Sequence, residues 1–438
     1  MKIATALDYN AHHRALEFCV DLYFAGAAPL RCLSSNYLVS LELTEEVAAT
    51  SNTPVGTPSA NEVSFELYNQ GGLFNPLNKK GTYYNKIKVG SKVVVFCRLI
   101  DIEGTEEYEW DQLGVFYIAD WQTDITGTSA TVVAYDTMYN LLTDTLTKLP
   151  ITPDQTYKSL WEDFFTANNL TVTVSDGLLE KLAYGYVTDT NSAFLQDLTL
   201  GSFAFCFCDH TGNPTVRTIT AGTTVHELTD SDQIFSIKSD QSIISEYDGV
   251  NLIYNKTQLS DIQEILSVKE QQLQGGTNTF SNQNFSKTPV FAVIYTSVTS
   301  ENQMQLTTFE ANAHSATYTI TGTDGQFDVS FYGNIVEKVE MSLEDLGENL
   351  LSVNSAYIQN EIRANSIKTS IRKYILLSVP YIELEIRGNP KYNIGDTVHI
   401  VSTYYDLDFT GILLRQKYTY DGGLSSTITV LNTDVVGG

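Results

Sequence analysis

The sequence predicts a mainly β protein with α+β insertions. Three observations carry this. The composition is β-rich: 26 Tyr and 20 Phe stand against 4 Met, with abundant Val, Thr, Ser, Asn and Gln. Period-2 alternation of apolar residues recurs at both ends of the chain. Helical periodicity is confined to a few segments in the middle and before the C-terminal strands.

The first strand spans 14–24, where Leu16, Phe18, Val20, Leu22 and Phe24 alternate with other residues. Tyr37 to Leu43 alternates again, and a Pro/Gly-containing loop covers 49–60. A strand at Val63–Tyr68 closes on Asn69-Gln70-Gly71-Gly72, a turn signal. Lys92–Leu99 reads as a central strand. An acidic loop, 101–111, separates it from Gly114–Trp121, and Ala130–Tyr135 follows.

The pattern changes near Leu149. Gln155–Asn168 reads as a helix with Leu160, Trp161, Phe164 and Phe165 on one face. Asn191 or Ser192 is the expected cap of a second helix through Leu200. Phe203–Cys208 is a strand and 209–213 a turn into Thr215–Arg217. Strands resume at Ile234–Ile237 and Gly249–Tyr254. Residues 260–330 read as a polar β insertion with long loops. A long helix is expected after Asn354 or Ser355, with Ile358, Ile362, Ile367, Ile371 and Ile375 as its stripe and Pro380 as its end. Strands at 381–386, 397–402, 411–418 and 426–431 finish the chain.

An internal repeat organises these elements. Gly90-Ser91-Lys92-Val93-Val94-Val95, Gly114–Asp124 and Ala130–Val133 match Gly395-Asp396-Thr397-Val398-His399-Ile400, Gly411–Asp421 and Ser426–Thr429. Each is a Gly-led strand, a loop, a second Gly-led strand with an aromatic seven positions on, and a final strand. The Gly–Gly gaps are 24 and 16 residues, and the acidic loop accounts for the excess. Convergence of two meanders is one reading. Two copies of one β domain, suited to a ring in which each chain fills two positions, is the other.

Charge excludes some functions. The chain holds 52 Asp+Glu against 26 Lys+Arg, a net −26, the wrong sign for a duplex nucleic acid or an anionic membrane surface. It contains no run of 18 apolar residues, so no membrane segment is expected. The N-terminus lacks the apolar core of a signal peptide. The five cysteines, Cys19, Cys32, Cys97, Cys206 and Cys208, are expected to be reduced thiols.

No catalytic residue, cofactor or metal is predicted. Cys206-x-Cys208-x-His210 has the residue types of a metal box. On a strand its outer members lie about 13 Å apart, too far to share an ion. His12-His13 lacks HExxH spacing. There is no GxSxG, Walker loop or GxGxxG behind a strand. With this many acids, a paired-carboxylate glycosidase stays open.

Three stretches resemble a known family. Gly114–Trp121 followed by Ala130–Asp136 resembles the first domain of the baseplate hub proteins of tailed phages. Ser192–Leu198 followed by Phe205–Asn213 resembles that family's middle module. Arg387-Gly388-Asn389-Pro390-Lys391-Tyr392-Asn393-Ile394-Gly395-Asp396 resembles its C-terminal stretch. The resemblance spans most of the chain in the right order. It implies two tube-like β-barrel or sandwich domains, at 1–148 and at 223–265 with 353–438, the latter carrying the long helix. A small α+β module lies at 149–222 and a β-rich polar insertion at 266–352.

It further implies a homotrimeric ring that mimics a six-fold tail tube. The tube or a distal tail protein would sit above and a spike, fibre or lysin chain below. DNA would pass transiently through the lumen, and the place would be the virion tail, made in the host cytoplasm. Assembly candidates are Gly114, Tyr117, Trp121, Tyr135, Asp136, Gly388, Asn389, Pro390, Gly395 and Asp396. Candidates for an acidic lumen are Asp101, Glu103, Glu106, Glu107, Glu109 and Asp111. In some relatives an enzyme domain follows the hub. This chain ends soon after its second tube-like domain, so no enzyme is expected. The alternatives are a saccharide-binding host-surface adhesin and a cell-wall-degrading tail enzyme.

Overall fold

In the computed structural model the described residues are 2–11, 14–47, 55–56, 58–101, 107–124, 127–144, 147, 149–186, 190–219, 225–230, 234–239, 247–300, 302, 304–376 and 381–433. Glu103, Glu106, His12, His13 and Pro380 lie outside them.

After a short helix, α1 (Ala6–Tyr9), the N-terminal strands are β1 (Ala15–Tyr23), β2 (Leu30–Leu33), β3 (Leu38–Glu46), β4 (Glu62–Tyr68), β5 (Lys92–Ile100), β6 (Asp111–Thr123) and β7 (Ser129–Tyr135). They pair in the order β2-β1-β5-β6-β7-β4-β3. Alternation decides which face is buried. Phe18, Val20 and Leu22 of β1 meet Val93, Val95 and Cys97 of β5, Val63 and Phe65 of β4, and Val132 of β7 in one core. Burying each such side chain contributes about 1.5–3 kcal/mol.

A middle module follows α2 (Thr137–Thr143). It holds the two-residue strands β8 (Thr152–Pro153), β9 (Thr173–Val174) and β10 (Tyr184–Gly185), the helices α3 (Tyr157–Ala167) and α4 (Asn191–Ser202), and strands β11 (Ala204–Cys208) and β12 (Pro214–Thr218). α3 is amphipathic as its spacing predicts, with Leu160, Trp161, Phe164 and Phe165 fully buried. The α4 cap is Thr190, whose hydroxyl accepts from the Ala193 amide at 3.1 Å. Asn191, expected as a cap, is instead buried and accepts from the Thr147 amide at 2.8 Å. Met138 and Leu141 of α2 and Tyr357 complete this core.

The C-terminal half contains β13 (Val225–Thr229), β14 (Ile234–Ser239), β15 (Gly249–Leu259), β16 (Gln263–Leu273), β17 (Gly276–Asn284), β18 (Val290–Ser300), β19 (Gln305–Ala311), β20 (Ser315–Gly322), β21 (Gly325–Glu344), β22 (Leu350–Ser355), β23 (Tyr381–Ile386), β24 (Thr397–Ser402), β25 (Leu407–Tyr420) and β26 (Leu424–Asn432). The polar stretch is strand-rich, with short links between most of its strands. β16 and β18 flank β21, and β17-β20-β19 forms a second sheet. Ile265, Phe327, Val329 and Phe331 from the first and Tyr318 and Ile320 from the second share a core of their own.

The last helix starts later than its isoleucines suggest. Residues 350–355 form β22, parallel to β15, because Leu351 and Val353 alternate with polar residues. α5 is Glu361–Ile375, capped by Asn360, whose side chain accepts from Arg363 at 2.8 Å. Ile358 is buried before the helix begins, and Ile362 is 84% exposed. The buried stripe is Ala364, Ile367, Ile371, Tyr374 and Ile375.

All five cysteines are free and buried, and burial pushes each thiol up in pKa. Thiol titration in denaturant is expected to count five. A count of three or fewer contradicts this.

Candidate functional site

The site is built by β5-β6-β7 and β24-β25-β26, two antiparallel meanders that share a bulge in the middle strand, while β5-β6 has a further bulge beside Gly114 that β24-β25 lacks. Gly90 and Gly395 have φ of +82° and +83°, left-handed values that a side chain would strain. The Gly90 amide donates to Ile118 O at 2.7 Å, and the Ile118 amide donates back to Ser91 O at 3.0 Å. In the second copy Gly395 donates to Leu413 O at 2.8 Å, and Leu413 donates to Asp396 O at 2.9 Å. The residue after each of these breaks the ladder: a bulge lies between Ile118 and Asp120 on β6, and between Leu413 and Arg415 on β25.

The flanking strands correspond too. β4 pairs with β7 as β23 pairs with β26, and β3 follows β4 as β14 follows β23. β3 is bulged between Leu38 and Ser40, and β14 between Ile234 and Ser236. The bulged residues, Val39 and Phe235, are both exposed. The copies differ at the far edge. β1 runs antiparallel to β5, whereas β13 runs parallel to β24.

This geometry corrects the sequence alignment of the repeat. Ile118 corresponds to Leu413, so Phe116 corresponds to Gly411, and Trp121 to Gln416. Gly114 and Gly411 are two positions out of register. The turn-to-strand hydrogen bonds set the true spacing, and neither glycine lies at the shared bulge.

The two meanders are fused. The C-terminal half of β25 pairs antiparallel with β3 from Arg415↔Glu46 to Tyr420↔Leu41, so the sheets run on as one. Arg415–Glu46 at 3.4 Å and Lys417–Glu42 at 3.2 Å cross this seam. Tyr418 is buried there and donates to Asn389 O at 3.0 Å.

A polar lock sits beside the seam. The Arg14 guanidinium donates to Gly388 O at 2.7 Å, to Arg387 O at 2.5 Å and to Tyr9 O. Burial, with Arg387 beside it, lowers its pKa to about 10, and the group stays charged at neutral pH. Asn389 is buried and donates to Ala6 O and to Asn10 Oδ1 at 3.0 and 2.8 Å. Lys391 pairs with Asp111 at 2.5 Å, and Tyr9 donates to the other Asp111 oxygen at 2.8 Å.

On another side, a cleft of about 660 Å³ opens between the middle module and the sheet, lined by Glu45, Phe207, His210, Arg217 and Asp396 among others. His210 Nε2 lies 3.0 Å from Glu45, and His226 Nε2 3.0 Å from Asp396. Burial opposes charge on His210, but Glu45, Asp209 and Asp396 outweigh it and raise its pKa. Asp396 is lowered: burial opposes its charge, but His226, the Asn393 amide and Arg217 prevail. The His210–Glu45 pair fastens the module to the sheet, whereas His226–Asp396 ties β13 to the turn before β24 within the sheet. Cys206 and Cys208 face the module's core while His210 reaches Glu45. Among the described residues, no cluster of three or more His, Cys, Asp or Glu could hold a metal.

The assembly candidates serve distinct local tasks. A Cβ on Gly114 would lie 2.4 Å from the Phe116 ring. Tyr117 faces Lys92 and Tyr135 across two ladders. Trp121 Nε1 donates to Phe74 O at 2.9 Å, and Tyr135 stacks on Tyr139 at 4.4 Å. Asp136 is buried, caps α2 through the Met138 amide at 2.9 Å, and accepts from Asn61 at 3.0 Å. Gly388 turns the chain at φ +82°, Pro390 is buried, and Asn389 and Asp396 hold the contacts given above.

Of the acidic candidates, Glu107 and Glu109 are exposed, Asp101 is half-buried, and Asp111 is committed to Lys391. Sequence reasoning missed Arg14, Lys391 and the His210–Glu45 pair. The partners in these contacts lie 165 to 374 residues apart, or 5 in the one local case, and no local pattern marks them.

The fold defined here is a β chain with two equivalent meanders joined through one sheet and a helical module between them. It is shared with solved phage tail proteins. The 43 kDa tail protein of prophage MuSo2 from Shewanella oneidensis is 12% identical, matching 95% of this chain and 99% of that one with a TM-score of 0.54. The tail protein from Neisseria meningitidis MC58 is 8% identical, matching 95% and 97% with a TM-score of 0.52. No family model and no curated protein sequence matches the chain. The fold is thus that of phage tail proteins, as the resemblance in the sequence implied.

Proposed function

We propose that this protein is a structural hub at the distal end of a phage tail or tail-derived particle. Three copies form a ring that is three-fold in sequence and approximately six-fold in shape, because each chain supplies two equivalent β units. In this reading the two units are 1–148 and 223–265 with 353–438. The ring joins the tail tube above to spike, fibre or lysin chains below, and DNA passes through its lumen. Asp101, Glu107 and Glu109 contribute an acidic lining that repels phosphates.

The observation that carries this reading is the matched pair of bulged meanders in one chain. A single-unit protein would need six copies to match a six-fold tube, and this one needs three. The fold shared with tail proteins supports it. The role is structural and non-enzymatic: the partly buried His–carboxylate pairs tie elements together.

A reconstruction of the assembled particle tests the reading. Three copies should surround the axis, with the two meanders alternating around it and acidic side chains on the lumen. Six copies, or a basic lumen, would overturn it.

A further inference from the structure

The fused seam leaves one copy of each of its two edges open. Within the chain, β3 lies against the C-terminal half of β25. The equivalent of β3 is β14, and the equivalent of that half of β25 is the end of β6. Among the described residues, β14 has a strand partner only in β23, and the β6 end, residues 120–123, only in β7. The Trp121 amide, which points away from β7, is held by its neighbour's Asp120 carboxylate at 2.9 Å and by no strand. Unpaired edges of this kind are templates for another strand.

We infer that β14 of one copy pairs with the C-terminal end of β6 in the next copy, repeating between chains the joint that β3 and β25 make within one. The inference rests on the trimer reading above and names its interface. The occupant is a second copy of this chain because the joint already exists in the molecule. Its two halves share their bulges with the two open edges, and a bulge fixes strand twist and the side to which the backbone groups point. The contact is heterologous: one chain offers the β6 edge, the next offers the β14 edge, and every chain carries both.

The register transfers directly. Tyr418 faces Leu43 and Thr419 faces Glu42 across the internal seam. The equivalent positions place Thr123 opposite the partner subunit's Ser239, and Asp124 opposite the partner subunit's Lys238. The second pair brings opposite charges together, as Lys417 and Glu42 do inside the chain. Parity agrees: the amides of residues 121 and 123 lie on the open side of β6, as those of 416 and 418 do on the β3 side of β25.

Disulfide trapping decides the matter. Directly opposed residues of an antiparallel pair lie about 5.5 Å apart at Cα, within disulfide range. The double variant Thr123→Cys with Ser239→Cys, oxidised at high protein concentration, should give a cross-linked ladder on non-reducing denaturing gels. Each single variant should give none, since a heterologous joint never brings two copies of one edge together. The native cysteines are buried and should stay silent. A ladder that stops at three supports both the joint and the ring. A ladder that continues supports the joint and overturns the closed trimer. No ladder from the double variant, or equal cross-linking by a single variant, overturns the joint. If the particle nonetheless holds three copies, the hub reading survives that loss.

Discussion

Arg14→Met should destabilise the protein by about 3 kcal/mol, read as an earlier first transition in denaturant. The guanidinium donates to three backbone carbonyls, two of them in the Arg387–Gly388 segment, and ties the chain's start to the turn before β24. Hydrogen bonds from a charged donor are each worth about 1.5–3 kcal/mol, and methionine leaves all three acceptors without it. The loss is partial where water reaches the freed carbonyls, which keeps the expected figure below the sum of the three bonds. Arg14→Lys should recover only part, because an ammonium lacks the fork that spans separated acceptors. The module's core, which Arg14 does not touch, should unfold at its usual denaturant concentration. A variant as stable as the parent would show that the lock contributes nothing.

Asp136→Ala should cost about 2–4 kcal/mol at pH 5 and less at pH 8. The side chain caps α2 and also holds the Asn61 amide, so alanine strands two buried donors. Burial pushes the carboxyl from 3.8 up to about 7, against the opposing pull of the Asn61 and Met138 amides. A folded pKa above the unfolded one means that folding favours the protonated form. Its contribution is full below pH 4 and is lost as pH rises through about 7. Alanine has no such proton, so the gap between variant and parent should narrow across that window. Equal gaps at the two pH values would refute this account of Asp136. The same residue was marked in the sequence by its place after Ala130–Tyr135, but its task as a cap was not.

The sequence alone was enough for the elements whose residues answer to neighbours along the chain. Period-2 alternation placed β1, β3–β7 and the last four strands, and the aromatic spacing of α3 placed that helix. Local patterns failed where two signals competed. Isoleucines at helical spacing suggested a helix from about Ser355, but Ile358 is buried before α5 begins at Glu361 and Ile362 faces solvent. Asn191 has a capping side chain, yet Thr147 claims it. The repeat was legible as two Gly-led meanders, but its register was not. Counting from Gly114 and Gly411 gave an offset that the hydrogen bonds of Gly90 and Gly395 correct by two. A bulge adds a residue without changing the residue types around it, so no spacing rule reveals it.

Tertiary structure alone decided how the halves meet. Pairing of β25 with β3 joins residues about 375 apart, and strand edges carry only backbone groups, which are the same in every sequence. Arg14 reaching Gly388, Lys391 reaching Asp111 and His210 reaching Glu45 depend in the same way on where distant strands end. Short-range chemistry told the chain which segments become strands. Which edges are covered and which stay open was set by packing, because only the folded sheet has edges.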